Sequence, residues 1–195
     1  MTVRLAGIFG RPFKPRPRAS LADINYDLHH DQFSQGQTVK QLKPEREVQK
    51  WVAYDLQNRK GRAYTLTRES HVVDEKEPDI RLQSNLSDAS MPVEVKVAES
   101  WSLPQLEDAL TKQLVGSYIR ERDKRHGILL LVHQHARPNG WEDGTGRFLA
   151  FEEVVERLQG IADAMAAAGG AGAPQAEVAV IDVSDVVVPA ATKGR

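Results

Sequence analysis

Two acidic residues and one lysine stand where two short predicted strands should meet. In the segment PDIRL, Asp79 precedes residues that alternate between apolar and polar, and in MPVEVKVAE the residues Glu94 and Lys96 alternate with valines. This period-two alternation is typical of β-strands, in which residues two apart share a face. The turn-like segment NLSDAS joins the strands, so their pairing would bring Asp79 close to Glu94.

This group of side chains is suited to a specific chemistry. Two carboxylates in a semi-buried place repel each other, and a hard divalent cation removes that repulsion. Mg²⁺ prefers carboxylate oxygens and keeps coordination positions for substrate phosphates. A lysine on the same face, as Lys96 is, can orient or deprotonate a water and stabilise charge that builds on a phosphate. The three residues therefore indicate metal-assisted phosphodiester hydrolysis.

A helix before these strands supplies a further acid. The segment PEREVQKWVAYDLQNRKG has Pro44 at its start and Gly61 just beyond its end, as expected of a helix. Glu45 heads an apolar stripe, whereas Glu47 lies about 200° away around the helix. The stripe continues through Val48, Val52 and Leu56. An acid on such a stripe needs a partner, and a metal site would supply one. The alternative is a first-turn acid that complements the helix dipole.

The remaining segments complete an α/β pattern. RAYTLTRESHVV predicts a strand, and SLPQLEDALTKQLVGSYIRERDK predicts a long helix with Ser102 as its N-cap. HGILLLVHQ is typical of a central strand buried on both faces. RFLAFEEVVERLQGIADAMAAAG predicts another helix, and AEVAVIDVSDVVV a last strand. This order, which is helix, three strands, helix, strand, helix, strand, predicts a layered α/β structure with a mixed sheet.

At this point the sequence resembles a known family. Pro78-Asp79, followed after fourteen residues by Glu94-Val95-Lys96, is similar to the signature of the PD-(D/E)XK nuclease superfamily. That superfamily includes restriction endonucleases, archaeal Holliday-junction resolvases and many bacterial defence effectors. The resemblance covers about residues 44 to 135 and implies a restriction-endonuclease-like core, αβββαβ, with a mixed central sheet flanked by helices. Here an extra C-terminal helix and strand follow.

The resemblance also implies roles for five residues. Asp79 and Glu94 would hold Mg²⁺ or Mn²⁺, and Glu45 on the first helix would act as a further metal ligand or as a base. Lys96 would position the attacking water. Gln113 corresponds to a glutamine that some nucleases of the superfamily carry on the second helix, near the active site and the DNA.

In those nucleases a tyrosine follows the glutamine in the pattern QxxxY. Here Tyr118 follows Gln113 by one residue more than that pattern has. The alternative interpretation is a helix-surface glutamine and a core tyrosine.

Several other residues have weaker claims to a function. Glu69 could add a ligand, although a polar strand residue is the simpler interpretation. His133 and His135 share a strand face, as metal-binding pairs sometimes do, but no third ligand is identifiable. Trp101 directly follows the strand that carries Glu94 and could pack at the mouth of the substrate site; otherwise it is a core or boundary aromatic.

Composition limits the class of protein. The chain has 195 residues and a net charge of -1, so its overall charge gives no sign of nucleic-acid binding. It has no cysteine, which excludes disulfides and thiolate zinc sites. We find neither the apolar run of a signal peptide nor a membrane span, and expect a cytoplasmic protein without membrane contacts. We predict an irregular basic or polar arm or linker at 1–43, with one short helix near SLADINYDLHH, a nuclease-like domain at 44–188 and a tail at 189–195.

The sequence thus predicts a Mg²⁺-dependent nuclease with DNA as the favoured substrate. By analogy with the family, it would be a module that serves a larger protein or sensor domain, such as an effector of bacterial defence or a DNA-processing system. Many members of the family are dimers, so the resemblance also allows a homodimer. One rival hypothesis is a catalytically inactive binding or assembly module on the same fold. Another is a nuclease directed at RNA.

Overall fold

The computed structural model describes residues 17–31, 34–68, 77–119, 125–170 and 172–188. The candidate ligand Glu69 and the predicted tail lie outside the described residues, as does most of the basic part of the predicted N-terminal arm.

Helices and strands alternate along most of the chain. The helices are α1 (Pro17–His30), α2 (Gly36–Gln41), α3 (Glu45–Arg59), α4 (Leu103–Asp108) and α5 (Phe151–Ala168). The strands are β1 (Tyr64–Arg68), β2 (Ile80–Ser84), β3 (Ser90–Val97), β4 (His126–His133), β5 (Trp141–Glu142), β6 (Phe148–Leu149) and β7 (Gln175–Asp182). A 3₁₀ turn at Ala98–Ser100 follows β3, and α4 continues as a π-helix at Ala109–Tyr118.

The central sheet is mixed. Its strand order is β1-β2-β3-β4-β7, with β1, β2 and β3 antiparallel and β3, β4 and β7 parallel. From α3 onward, the element order and the flanking helices confirm the predicted fold class, including the extra C-terminal helix and strand. The short hairpin of β5 and β6 was not predicted, because strands of two residues each are too short to show alternation.

Helices cover both faces of this sheet, and each face has its own apolar core. The valines of β3 and alternate residues of β4, among them Ile128 and Leu130, pack with α1 and α3. Leu129 and Leu131 of β4 point the other way and pack with α4, the π-helix and α5. Strand β4 is therefore buried on both faces, as its continuous apolar run predicts.

The packed domain begins before the predicted boundary at residue 44. In α1, Leu21, Ile24 and Leu28 are buried in the same core as the valines of β3. The side chain of Lys40 at the end of α2 donates hydrogen bonds to the carbonyls of Ser184 and Val186. The described part of the predicted arm is thus helical and attached to the sheet. Its few apolar residues stand among polar ones, so the helical stripe is faint in the sequence.

Strand β3 extends beyond strand β2 at one end of the sheet, and the candidate site lies there. Strand β2 begins at Ile80, which pairs with Val93, whereas β3 runs on to Val97. Residues 94–97 therefore pair with β4 on one side and have no β2 partner on the other. The backbone of β3 must find other hydrogen-bond partners along this overhanging end.

Among the helices that the structure describes, none has the length and apolar character that a membrane span requires.

We predict that Ile24→Ala destabilises the whole domain by about 2–5 kcal/mol, because it leaves a cavity in a packed core. Ile24 is 1% exposed. Urea unfolding would measure the loss. The matched control is Asp23→Ala, which changes the exposed neighbour on the same helix and should stay within about 0.5 kcal/mol of wild type. Equal stabilities of the two variants would show that α1 is an appendage.

Candidate active site

The acid that precedes β2 binds to the overhanging end of β3. Asp79 Oδ2 accepts a hydrogen bond of 2.8 Å from the backbone N–H of Val95, and Oδ1 accepts one of 2.8 Å from the side-chain amide of Gln49 on α3. The carboxyl group thus takes the place of a missing β2 residue and satisfies a strand amide. Its position is fixed by the sheet on one side and by α3 on the other.

Glu94 and Lys96 form a buried ion pair on β3. The Lys96 ammonium lies 2.6 Å from Glu94 Oε1, and their side chains are only 8% and 5% exposed. Because side chains alternate along a strand, both point away from the valine face and α3. A buried pair of charges stabilises a fold weakly, since desolvation offsets much of the attraction. Such a pair is therefore a candidate for function.

The two glutamates of α3 lie as the helical stripe predicts. Glu45 Oε2 accepts hydrogen bonds from the backbone N–H of Val97, at 2.8 Å, and from the indole N–H of Trp101, at 2.7 Å. Glu47 instead forms an ion pair of 2.5 Å with Lys50, and this hydrogen bond lowers the pKa of Glu47. Glu45 therefore belongs to the group around β3, and Glu47 does not.

The four charged residues influence one another. Burial and the negative charge of Glu94, with a smaller contribution from Glu45, raise the pKa of Asp79 to about 7, against the opposing effects of the Val95 amide and Lys96. Burial by itself lowers the pKa of Lys96, but the adjacent Glu94 outweighs it and the pKa of Lys96 is raised. Lys96 therefore carries its proton at neutral pH. Three carboxyl groups surround one ammonium, which leaves an excess of negative charge.

The carboxylate groups of this site are chemically suited to bind a hard divalent cation. Asp79 and Glu94 offer carboxylate oxygens, and a cation between them would relieve the repulsion that raises the pKa of Asp79. Within the described ranges, no group of three or more His, Asp or Glu side chains is arranged to hold a metal ion. Any cation would therefore take ligands beyond two carboxylates, such as water or substrate phosphate, as Mg²⁺ commonly does.

The π-helix changes how the spacing between Gln113 and Tyr118 is interpreted. In this segment hydrogen bonds run between residues five apart, as from the N–H of Ile119 to the carbonyl of Leu114. Gln113 and Tyr118 are five apart, so the wider helix brings them toward one face. The hydroxyl of Tyr118 donates to the carbonyl of Glu77, two residues before Asp79. Gln113 is half-buried on the same helix.

Two residues that contact the group were not assigned to it from the sequence. Gln49 stands one turn after Glu45, and this spacing of four residues was the available signal. Trp101 was predicted either at the mouth of the site or as a core or boundary aromatic, yet it binds Glu45, and its ring centroid lies 4.8 Å from the Lys96 ammonium. The turn at Ala98–Ser100 returns Trp101 toward Glu45, and nothing in the local sequence encodes that distance.

The two histidines do not act as a pair. His133 ends β4, is buried against the rings of Phe151 and Trp141, and lies 3.2 Å from the carboxylate of Asp182. His135 lies beyond the strand, where its backbone N–H donates to Glu99. His133 is therefore a core histidine with one polar partner.

Comparisons with known proteins identify distant structural similarity. No known protein family matches the sequence, and no curated protein matches it significantly. The restriction endonuclease FokI aligns with 12% sequence identity and a TM-score of 0.41 over 84% of this chain. FokI bound to DNA aligns with 11% identity and a TM-score of 0.39 over 87% of this chain. The chain spans 28% of the length of that endonuclease.

We predict that the metal-free protein loses stability as pH rises from about 4 to about 7. The pKa of Asp79 is about 7 in the folded protein against an ordinary value of 3.8, so the folded state binds more protons between these values. The stability that protonated Asp79 contributes is fully present below the lower value and is lost as pH rises through the upper one. Urea unfolding in EDTA across this range would measure the slope.

The control for this slope is Asp79→Asn, whose side chain does not titrate. Its free energy of unfolding should fall less steeply with pH over the same interval. A wild-type slope that is unchanged in Asp79→Asn would mean that other groups cause the pH dependence.

Proposed function

We propose that the chain is a metal-dependent nuclease that hydrolyses phosphodiester bonds of DNA. The observation that carries the proposal is the buried Glu94–Lys96 pair beside Asp79 and Glu45, at the end of β3 that lacks a β2 partner. A fold gains little stability from such a concentration of charge. It is, however, the combination of groups that phosphodiester hydrolysis needs.

Asp79 and Glu94 would hold the cation, and Glu45 would assist as a ligand or a base. A bound Mg²⁺ or Mn²⁺ would supply positive charge to the scissile phosphate and acidify a water molecule. Burial lowers the pKa of Lys96, but Glu94, with Asp79 and Glu45, raises it above its ordinary value, so Lys96 keeps its proton at neutral pH and its role is to donate hydrogen bonds. It would orient the attacking water and stabilise the charge that develops on the phosphate. Gln113, on the π-helix, stays a predicted contact to the substrate.

DNA is proposed as the substrate through the family resemblance, and phosphate contacts would dominate its binding. The proposal extends to a module that serves a larger protein or sensor domain, in bacterial defence or DNA processing. The biological setting and the homodimer are predictions from the same resemblance.

A second candidate function is a binding or assembly module without catalysis. Each acid already has a partner: Gln49 and Val95 for Asp79, Lys96 for Glu94 and Trp101 for Glu45. A closed polar network of this kind could serve only to fix the junction of α3 with the sheet. It would show no metal-dependent chemistry.

The experiment that separates these functions is incubation of the protein with plasmid, linear and single-stranded DNA and with RNA. Each substrate is tested with Mg²⁺, with Mn²⁺ and with EDTA. The proposal predicts cleavage of DNA that EDTA abolishes. Cleavage of RNA alone would change the substrate class, and no cleavage under any condition would favour the binding module.

We predict that Lys96→Met reduces cleavage by at least about 100-fold, because it removes the donor that stabilises the reacting phosphate. Methionine keeps most of the side-chain volume but removes the ion pair with Glu94, so the melting temperature is measured alongside activity. Lys112→Met is the matched control, since Lys112 is 73% exposed on the π-helix and pairs with Asp108. Cleavage at the wild-type rate by folded Lys96→Met would contradict the assigned role.

A second pair of variants tests which face of α3 points toward the site. Glu45→Gln keeps size and helix propensity but removes the charge near β3, so cleavage should fall. Glu47→Gln acts on an ion pair with Lys50 at the other side of the helix and should leave cleavage nearly unchanged. Rates are compared in one metal buffer, after equal stability is verified. The reverse result, with Glu47→Gln inactive and Glu45→Gln active, would refute the placement of Glu45 in the site.

A further inference from the structure

One aromatic residue contacts two of the four charged side chains. We propose that Trp101 is a positioning residue: its indole N–H fixes the carboxylate of Glu45, and its ring fixes the ammonium of Lys96. The inference rests on the proposed function for its effect on catalysis, whereas the contacts themselves are independent of that function.

The contact with Glu45 is directional. The indole N–H of Trp101 and the backbone N–H of Val97 both donate to Oε2 of Glu45, at 2.7 and 2.8 Å. The other oxygen, Oε1, accepts no hydrogen bond from the residues that the structure describes. With Oε2 bound twice, the carboxylate cannot rotate freely, and in this proposal Oε1 is the oxygen left for an incoming group. Trp101 thereby selects which oxygen of Glu45 is available for chemistry.

The contact with Lys96 is electrostatic. The ammonium lies 4.8 Å from the ring centroid of Trp101 and 2.6 Å from Glu94 Oε1. An ammonium within about 6 Å of an indole face is attracted by the ring quadrupole, and this attraction increases when water is excluded. Lys96 is thus held between a carboxylate and an aromatic ring. If a cation or substrate draws Glu94 away, the ring still restrains the lysine.

The backbone of Trp101 is itself fixed by hydrogen bonds to its carbonyl group. Its carbonyl accepts hydrogen bonds from the indole N–H of Trp141 and from the guanidinium of Arg137, each at 3.0 Å. Trp141 is 2% exposed and belongs to the core formed with α4 and α5. The indole of Trp101 therefore links that core to Glu45 on α3, across the open end of β3. Such second contacts orient functional groups in many sites, and their loss commonly reduces activity about 10- to 100-fold.

Substitutions can separate the two contacts. Trp101→Phe removes the N–H donor but keeps an aromatic ring beside Lys96, whereas Trp101→Leu removes both. We expect kcat to fall about 10- to 100-fold in Trp101→Phe and further in Trp101→Leu, with KM little changed. The matched control is Trp51→Phe, which also removes an indole N–H bound to a side-chain oxygen, that of Gln35 at 2.6 Å. It should keep wild-type kcat.

A double-mutant cycle tests whether Trp101 acts through Glu45. If it does, Trp101→Phe should reduce kcat much less in a Glu45→Gln background than in wild type, since the residue it positions is already altered. Independent, multiplicative effects of the two substitutions, or an unchanged kcat in folded Trp101→Phe, would overturn the proposal.

A spectroscopic measurement tests the contact without substrate. The chain has three tryptophans, so a ¹H–¹⁵N correlation spectrum should show three indole N–H signals, and loss of a signal in Trp101→Phe identifies that of Trp101. Glu45→Gln should shift that signal and leave the Trp51 signal in place. A Trp101 signal that does not respond to Glu45→Gln would overturn the contact. This result does not depend on nuclease activity, so failure of the proposed function and failure of this inference are distinguishable.

Discussion

The site depends on how β3 satisfies its backbone where β2 has ended. Two strand amides, those of Val95 and Val97, face no neighbouring strand, and a buried N–H without an acceptor costs free energy. Asp79 and Glu45 supply the acceptors. The same hydrogen bonds that complete the sheet therefore bring two acids beside Glu94 and Lys96. The fold and the proposed chemistry thus depend on the same interactions.

This arrangement also explains why opposite charges occur in the middle of a buried strand. The valine side of β3 builds one apolar core, and the other side carries Glu94 and Lys96, which pair with each other, while the ring of Trp101 lies against the Lys96 ammonium. Burial and the nearby carboxyl groups raise the pKa of Asp79, and the same carboxyl groups raise the pKa of Lys96 against the effect of its burial. Three carboxyl groups beside one ammonium leave an excess of acidic groups. In our proposal a cation compensates this excess, so relief of the repulsion between the carboxylates contributes to the free energy of metal binding.

Periodicity predicted much of the domain from α3 onward, because period-two strands and a three-to-four-residue apolar stripe leave clear patterns. The stripe also separated Glu45 from Glu47 correctly. The described part of the N-terminal segment was not predicted to belong to the packed domain. Its apolar residues Leu21, Ile24 and Leu28 stand among polar residues, and only their packing on the sheet identifies them as core residues. The contacts of Gln49 and Trp101 depend on distances between elements far apart in the chain, which local sequence does not specify.

The central claim is that Asp79 and Glu94 share a divalent cation. The most direct measurement is anomalous X-ray scattering from crystals of the protein soaked in Mn²⁺, with Asp79→Asn crystals treated in the same way. Our account predicts an anomalous peak that contacts both carboxylates in the wild type and is lost or strongly reduced in the variant. Wild-type crystals with no peak at these residues, and with Lys96 still paired to Glu94 at high Mn²⁺ concentration, would contradict it.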